Sequence, residues 1–255
     1  MKSKFFLFAL LLPLFSIAQQ NEGEVVYTET IKMNIDLPDD MDEKMRAMIP
    51  TSQSFTKSLI FNEKESLYTD WEAGENEDLE ISHEEDGMDF QMVMKRPENI
   101  YYADLANQSI VNKQEFFGRM FLITGEATAY PWKLTGEQKK INDFICQKAT
   151  CTHKEQNITA WFTPQIPLST GPNGYGGLPG LVLEVDINDG ERTITPLEIN
   201  LKAIEKGKIE KPTKGKKVTK EEFTKIRDEK MKEMNAETGG SGVIKMIVTD
   251  DVRNN

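Results

Sequence analysis

The recurrence of short segments in which apolar and polar residues alternate constrains this chain most. In the first such segment Val25, Tyr27, Ile31 and Met33 share one parity, whereas charged and hydroxyl side chains fill most of the other. A two-residue period places alternate side chains on opposite faces of an extended chain. This segment is therefore predicted to be a β-strand with one buried face and one wet face.

Similar runs recur along most of the chain, at residues 55–61, 66–71, 90–94, 100–105, 116–124, 141–150, 157–162, 181–187, 193–203 and 243–248. Many short strands at this spacing are typical of antiparallel β proteins. We expect a mainly β protein, in which an antiparallel sheet is curved or rolled into a half-barrel.

Two helices are predicted beside this sheet. Acidic residues at Asp39 and Asp40 precede methionines at helical spacing, which predicts a short N-terminal helix. Thr219 and Glu222 form a capping box at the start of a late amphipathic helix, residues 219–235. A lysine-rich segment at 206–217 is predicted to be a basic linker to that helix, which could cover the concave face.

The N-terminus has the pattern of a signal peptide, with lysines at positions 2 and 4 before an apolar run and Ala18 at the expected cleavage site. We expect residues 1–18 to be removed and residues 19–255 to form a single domain, with no transmembrane segment left. The protein is then exported to the periplasm or the cell surface. Removing the two lysines changes the formal net charge from −11 to −13, which argues against a nucleic-acid partner.

The two cysteines, Cys146 and Cys151, raise the question of a disulfide, because exported proteins reach oxidising compartments. A spacing of five along an extended strand places the two side chains on opposite faces, with Cα atoms farther apart than the ~7 Å limit for a bridge. A bridge would need a bulge or a turn, so both states stay open.

Few residues fit a catalytic arrangement, and we assign no catalytic residue and no cofactor. The chain has two histidines and no Gly-x-Ser-x-Gly segment. Cys151 and His153 share a strand face, but side chains two residues apart lie too far from each other for the direct hydrogen bond of an activated thiol. They could instead bind one soft metal ion such as copper, helped by His83 and the methionines of residues 88–94.

A glycine-rich segment near residue 177 is the best candidate for a binding loop. Glycines on both sides of Leu178 and Pro179 permit backbone conformations closed to other residues. The segment is either a rigid turn leading into the strand at 181 or a ligand-approach loop. In the second interpretation the binding candidates are Tyr175, Gly177, Leu178, Pro179, Gly180 and the nearby Trp161.

The run from Gly177 to Val182 resembles the signature that gives the GLPGLI family its name, with Val182 in place of the final isoleucine. Trp132, Glu137 and the late helix are also similar to that family's pattern. The resemblance spans most of the chain after residue 18. It implies an exported protein of Gram-negative bacteria in a family without an established activity.

Together these features favour a non-enzymatic binding or assembly module of the cell envelope. Aromatic residues concentrated between residues 101 and 175 could line a concave face that holds an apolar ligand or a peptide. One alternative is a soft-metal or thiol-redox protein that uses Cys146, Cys151 and His153. Another is a partner of an outer-membrane protein, which would be bound through the basic segment 206–217.

Overall fold

The computed structural model describes residues 21–33, 43–74, 79–85, 88–94 and 98–237. Two α-helices lie in these ranges, α1 (Glu43–Met48) and α2 (Lys220–Glu237), together with a short 3-10 helix at Pro172–Gly174. Fourteen strands make up most of the rest: β1 (Gly23–Lys32), β2 (Ser52–Phe61), β3 (Glu65–Asp70), β4 (Leu79–Glu85), β5 (Met88–Met94), β6 (Asn99–Asp104), β7 (Ser109–Phe116), β8 (Arg119–Glu126), β9 (Lys133–Ile141), β10 (Phe144–His153), β11 (Gln156–Thr163), β12 (Leu181–Ile187), β13 (Arg192–Leu201) and β14 (Lys216–Thr219).

Twelve of these strands form one sheet, in the order β14-β8-β7-β6-β3-β2-β1-β13-β12-β11-β10-β9, and β4 and β5 form a separate hairpin. The prediction of a mainly β fold is confirmed. The sheet is antiparallel throughout except at one edge, where β14 runs parallel to β8 and makes the sheet mixed.

Chain length shows that the sheet is strongly curved. Strands β8 and β9 lie ten strand positions apart in the sheet, which in a flat sheet would be about 48 Å. Only residues 127–132 connect them, and so short a segment reaches at most about 25 Å when fully extended. The two halves of the sheet, called its wings below, must therefore bend toward each other. Residues 127–132, called the bridge below, cross the open side of the half-barrel.

The main hydrophobic core lies on the concave face. A row of directly paired residues crosses seven strands there: Ile199, Val25, Leu59, Tyr68, Tyr101, Asn112 and Ile123. The connection between β11 and β12, residues 164–180, folds onto this face and buries Ile166, Leu168, Tyr175 and Leu178 in the same core. The concave side is thus filled mainly by the glycine-rich connection.

Helix α2 covers the wing of the concave face formed by β7 and β8. Its Phe223 packs edge-on against Phe116 and Phe121, with ring centroids 5.7 and 5.3 Å away. The predicted capping box is present, since the Thr219 amide donates to Glu222 Oε2 at 2.8 Å and the Glu222 amide donates to Thr219 Oγ1 at 3.1 Å.

The segment predicted as a basic linker is attached to the outer, convex face. Ile209 packs with Leu67, Tyr102 and Leu122, which alternate with core-facing residues along their strands. The Lys211 ammonium lies 5.7 Å from the centre of the Tyr102 ring. The last two residues of the segment begin β14, so this stretch is held to the sheet at both its middle and its end.

Two predicted strands are each a hairpin. The run at 116–124 contains a turn at Phe117 and Gly118, both with positive φ, and the run at 141–150 contains a turn at Asn142. The predicted signal peptide at 1–18 and the strand at 243–248 lie outside the described residues. No helix in the described part of the chain is long and apolar enough to cross a membrane.

Candidate functional site

Close backbone contacts fix the glycine-rich connection in place. A side chain at Gly180 would overlap the Thr163 carbonyl oxygen, and one at Gly174 would overlap the Tyr101 ring. The Leu181 amide donates to the Ile166 carbonyl at 2.9 Å, and Tyr27 Oη donates to the Val182 carbonyl at 3.0 Å. These contacts hold the loop rigidly against the concave face.

The bridge contributes two aromatic side chains to the outer side of this loop. Trp132 Nε1 donates to the Gly176 carbonyl at 2.8 Å. Tyr130 stacks on Tyr175 with ring centroids 5.6 Å apart, and it meets the edge of the His153 ring at 5.1 Å. The bridge, the loop and the β10–β11 hairpin therefore meet at one place, held by aromatic contacts.

An inner cavity of about 110 Å³ lies where these elements approach the opposite wing and helix α2. Strands β6, β7 and β8 contribute Tyr101, Ile110, Asn112, Gln114 and Ile123, and α2 contributes Lys220, Phe223, Thr224 and Arg227. The bridge, the hairpin and the loop complete the wall with Thr128, Tyr130, His153, Lys154, Gln156, Asn173, Gly174 and Tyr175.

A wider outer groove of about 780 Å³ continues from this cavity along α2. The two spaces share five lining residues: Thr128, His153, Lys154, Lys220 and Thr224. The outer groove adds charged residues of both signs from the helix: Glu221, Lys225, Asp228, Glu229 and Lys232. The cavity and the groove therefore form one continuous space that narrows toward the sheet.

The charge of the inner cavity is opposite to that of the chain. Its lining includes Lys154, Lys220 and Arg227 and, among the described residues, no carboxylate, although the chain has a formal net charge of −11. Arg227 is 6% exposed, and its guanidinium bonds to Asp228 in the outer groove at 3.1 Å. Lys220 donates to the Glu126 carbonyl at 2.8 Å. The cavity is thus electropositive inside an acidic protein.

Asn112 is the one amide in the row of aromatic and aliphatic residues that crosses the concave face. Its Oδ1 atom is buried and has no hydrogen-bond partner among the described residues. Leaving a buried acceptor unsatisfied costs about 1–3 kcal/mol.

Only one of the six predicted binding-loop residues lines this cavity, namely Tyr175. Leu178 is buried in the core, and Gly177 lies beside Trp132. The Gly180 amide already donates to the Leu178 carbonyl at 2.8 Å. Pro179 lines neither the cavity nor the groove. These contacts agree with the rigid-turn interpretation of the segment.

Trp161 lies on the face of β11 opposite to the cavity, because its neighbours Ala160 and Phe162 face the core. Its ring is flanked by the ammonium groups of Lys139 at 4.4 Å and Lys148 at 5.9 Å. The Lys139 ammonium also pairs with Glu184 at 2.6 Å. Trp161 therefore belongs to a charged ladder on the convex surface.

The two cysteines are free and buried. Burial raises the pKa of Cys146 and of Cys151 from 9.0 to about 11. His153 lines the cavity, whereas Cys151 lies in the core. In the described ranges no group of three or more His, Cys, Asp or Glu residues is arranged to hold a metal ion.

Sequence reasoning did not single out Asn112 and Arg227, two of the polar residues that line the inner cavity. The apolar stripe of α2 predicts which of its residues pack against the sheet. Nothing in the helical spacing distinguishes the buried Arg227 from the exposed charged residues around it. Asn112 lies in a strand whose polar residues do not alternate cleanly.

Comparison with known proteins gives a family for one segment and a fold for most of the chain. A model of a family described as "Protein of unknown function (Porph_ging)" matches residues 151–184, the segment that includes all of β11 and the glycine-rich loop. No curated protein matches.

Two crystal structures of PNGF-II, in different space groups, have a similar fold. They superpose with TM-scores of 0.52 and 0.50 at 15% and 14% identity, and each match covers 80% of this chain. The matched region is 32% of the PNGF-II chain, so this chain spans about a third of that protein's length. The half-barrel therefore also occurs as one part of a longer protein.

Proposed function

We propose that this chain is a GLPGLI-type, exported, non-enzymatic binding module of the cell envelope, and that it binds its ligand in the inner cavity and the outer groove. The observation that carries the proposal is the convergence of five separate parts of the chain on one polar cavity. These parts are strands β6–β8, the β10–β11 hairpin, the glycine-rich loop, the bridge and α2.

Rigid support around the cavity favours binding. The loop is fixed by backbone hydrogen bonds and by glycines that permit no side chain, and the bridge is fixed by Trp132 and by the stacked pair of Tyr130 and Tyr175. A pocket that is formed before its ligand arrives loses less conformational entropy on binding. Aromatic walls with a few convergent polar groups are typical of ligand sites.

The chemistry of the cavity gives less support to catalysis or redox function. A thiol reacts and binds metals as the thiolate, and burial raises the pKa of both thiols to about 11. The nearest aromatic contact of His153 is the ring of Tyr130, and neither of the two described cysteines lines the cavity. Binding therefore explains these groups better than the soft-metal or thiol-redox alternative.

Native mass spectrometry of the protein purified from its own periplasm tests the proposal. We expect an adduct on the wild-type protein that disappears when Thr224→Trp fills the space shared by cavity and groove. Thr213→Trp is the matched control, because Thr213 is exposed on the segment that crosses the convex face.

The control variant should keep the adduct, and circular dichroism should show that both variants keep the β fold. An adduct that survives Thr224→Trp would place the ligand elsewhere. A wild-type protein that carries no adduct, and that acquires none from periplasmic extract, would contradict the binding function itself.

A further inference from the structure

We propose that helix α2 is a lid, which pivots at its junction with β14 and lifts away from the inner cavity as one rigid helix while the sheet stays folded. This inference rests on the binding function proposed above and adds how the site is opened and closed. The bridge and the glycine-rich loop are the fixed walls of the cavity, and α2 is the moving wall.

One face of α2 forms the roof of the inner cavity. The helix residues that line the cavity are three, four and seven positions after the first, so they lie on one side of the helix: Lys220, Phe223, Thr224 and Arg227. The opposite wall belongs to β6, β7 and β8. The cavity is therefore closed only while α2 lies on this wing of the sheet.

The apolar contacts beneath α2 are separate from the main core. Among the described residues five form this smaller group, called the α2 cluster below: Phe116, Phe121, Ile123, Val218 and Phe223. The main core contains twenty-two buried residues. A region held by a small separate cluster opens at a lower free energy than the whole protein unfolds. Lifting α2 therefore breaks the α2 cluster and leaves the main core intact.

The N-terminal end of α2 is the natural pivot. Val218 in β14 pairs with β8, and the first helix residue, Lys220, donates to Thr128 Oγ1 of the bridge at 3.1 Å. Phe223, one turn later, packs between two rings of the sheet. In the later turns two ion pairs join residues of the helix to each other, Lys225 with Glu229 and Lys230 with Glu233.

The buried charge of Arg227 favours opening. Its guanidinium bonds to Asp228, the next residue of the same helix, at 3.1 Å, so this pair moves with α2. Arg227 is 6% exposed in the closed position. Burying a charged group costs free energy of hydration, which the guanidinium regains when the lid lifts. The apolar contacts of Phe223 therefore hold the closed state against a residue that is better hydrated in the open state.

Several features keep α2 helical when it lifts. The helix is 18 residues long and contains no glycine or proline, and the capping box of Thr219 and Glu222 closes its first turn. Isolated helices are marginal below about 12–15 residues, and ion pairs three or four residues apart stabilise them further. Opening therefore breaks the contacts of the α2 cluster without unfolding the helix.

Labelling of a cysteine placed under α2 tests the lid. Ile123→Cys puts a thiol in the α2 cluster, at a position that is 5% exposed. The reagent is a maleimide on a long polyethylene glycol chain, which is too large for a cavity of about 110 Å³. Ile187→Cys, at a position 3% exposed in the main core, is the matched control. The native Cys146 and Cys151 also lie in the main core and report global unfolding in every sample.

We expect the thiol at position 123 to be labelled at least about tenfold faster than the thiols of the main core, a factor that corresponds to about 1.4 kcal/mol. Its rate should depend weakly on urea, because lifting α2 exposes less surface than unfolding does. Phe116→Cys repeats the measurement at a residue of the α2 cluster that lines neither the cavity nor the groove. Circular dichroism checks that each variant keeps the fold.

Substitutions in the two clusters separate lifting from unfolding. Phe223→Ala should speed labelling at position 123 about a hundredfold or more, whereas Glu233→Ala, on the exposed side of α2, should leave it unchanged. Ile194→Val weakens the main core alone. It should speed labelling of the native thiols about two- to tenfold and leave position 123 unchanged.

Native mass spectrometry of partly labelled Ile123→Cys protein, purified from its own periplasm, connects the lid to the ligand. A ligand that contacts α2 in the closed state favours that state. The label should therefore be concentrated in molecules that carry no adduct. Equal labelling of molecules with and without the adduct would overturn the gating role of α2.

The outcomes distinguish the lid from the proposed function. Labelling at position 123 that matches the native thiols in rate, in urea dependence and in its response to Ile194→Val would show that α2 lifts only when the whole protein unfolds. That result would overturn the lid, and an adduct that Thr224→Trp removes would still support the function. Fast labelling at position 123 in a protein that carries and acquires no adduct would support the lifting of α2 and reject the binding function.

Discussion

Glu29 and Arg192 form an ion pair in the interior of the half-barrel, between β1 and β13. Glu29 is 3% exposed and Arg192 is 9% exposed, and Tyr68 Oη donates to the second oxygen of Glu29 at 2.8 Å. Removing one member leaves the other charge buried without its partner, which destabilises a protein by about 3–5 kcal/mol. We therefore expect Glu29→Leu and Arg192→Met each to lower the free energy of unfolding by about that amount.

The double variant gives the sharper result. Glu29→Leu combined with Arg192→Met removes both charges, and a buried pair replaced by apolar residues of similar volume is often neutral or stabilising. We expect the double variant to be more stable than either single one. Tyr68→Phe removes only the hydrogen bond to the carboxylate, at a cost of about 1.5–3 kcal/mol.

Urea unfolding followed by tryptophan fluorescence measures these differences, with the slope checked for a change in the denatured state. Lys202→Met is the control, because Lys202 is mostly exposed and lies 3.8 Å from Glu24. Surface pairs of this kind contribute about 0–1 kcal/mol. Single losses that simply add in the double variant would refute the assignment of a coupled buried pair.

Three further predictions concern the loop, the helix and the thiols. Gly180→Ala should destabilise the fold by about 3 kcal/mol or more, because the added methyl group overlaps backbone. Gly118→Ala should cost about 1–2 kcal/mol, since Gly118 has φ +69° and open space around it. Phe223→Ala should cost about 3–5 kcal/mol and increase hydrogen exchange throughout α2. Burial raises the pKa of Cys146 and of Cys151 in the folded protein to about 11, so these thiols ionise at lower pH in the unfolded chain. The free energy of unfolding should therefore fall as the pH rises from 9 to about 11.

Each of these has a result that would contradict it. Equal losses for the two glycine variants in urea unfolding would show that the loop relaxes around the new methyl group. Unchanged exchange of α2 in Phe223→Ala would mean that other contacts hold the helix. Both thiols should react with an aromatic disulfide reagent only after the protein is unfolded. If no thiol reacts in urea, Cys146 and Cys151 form a disulfide.

Local sequence patterns determined the elements with strong periodicity. The strands around Val25 and Leu183 alternate over most of their length because one face is packed in the core, although Val26 and Val182 on the other parity are buried as well. The pair of Thr219 and Glu222 marks the start of α2. The edge strand β9 was missed, since most of its residues are exposed on both faces and no alternation results. The turn at Phe117 and Gly118 was missed because apolar residues continue through it.

The sequence by itself thus determined a β-rich chain with a late amphipathic helix and a glycine-rich turn leading into β12. Tertiary structure alone decided where the polar residues meet. The bridge joins β8, next to one edge of the sheet, to the edge strand β9, and only that closure brings Tyr130 to Tyr175 and places Arg227 of α2 on the same cavity as Asn112. These residues are far apart in the chain, and no local pattern records a contact made by the curvature of a twelve-stranded sheet.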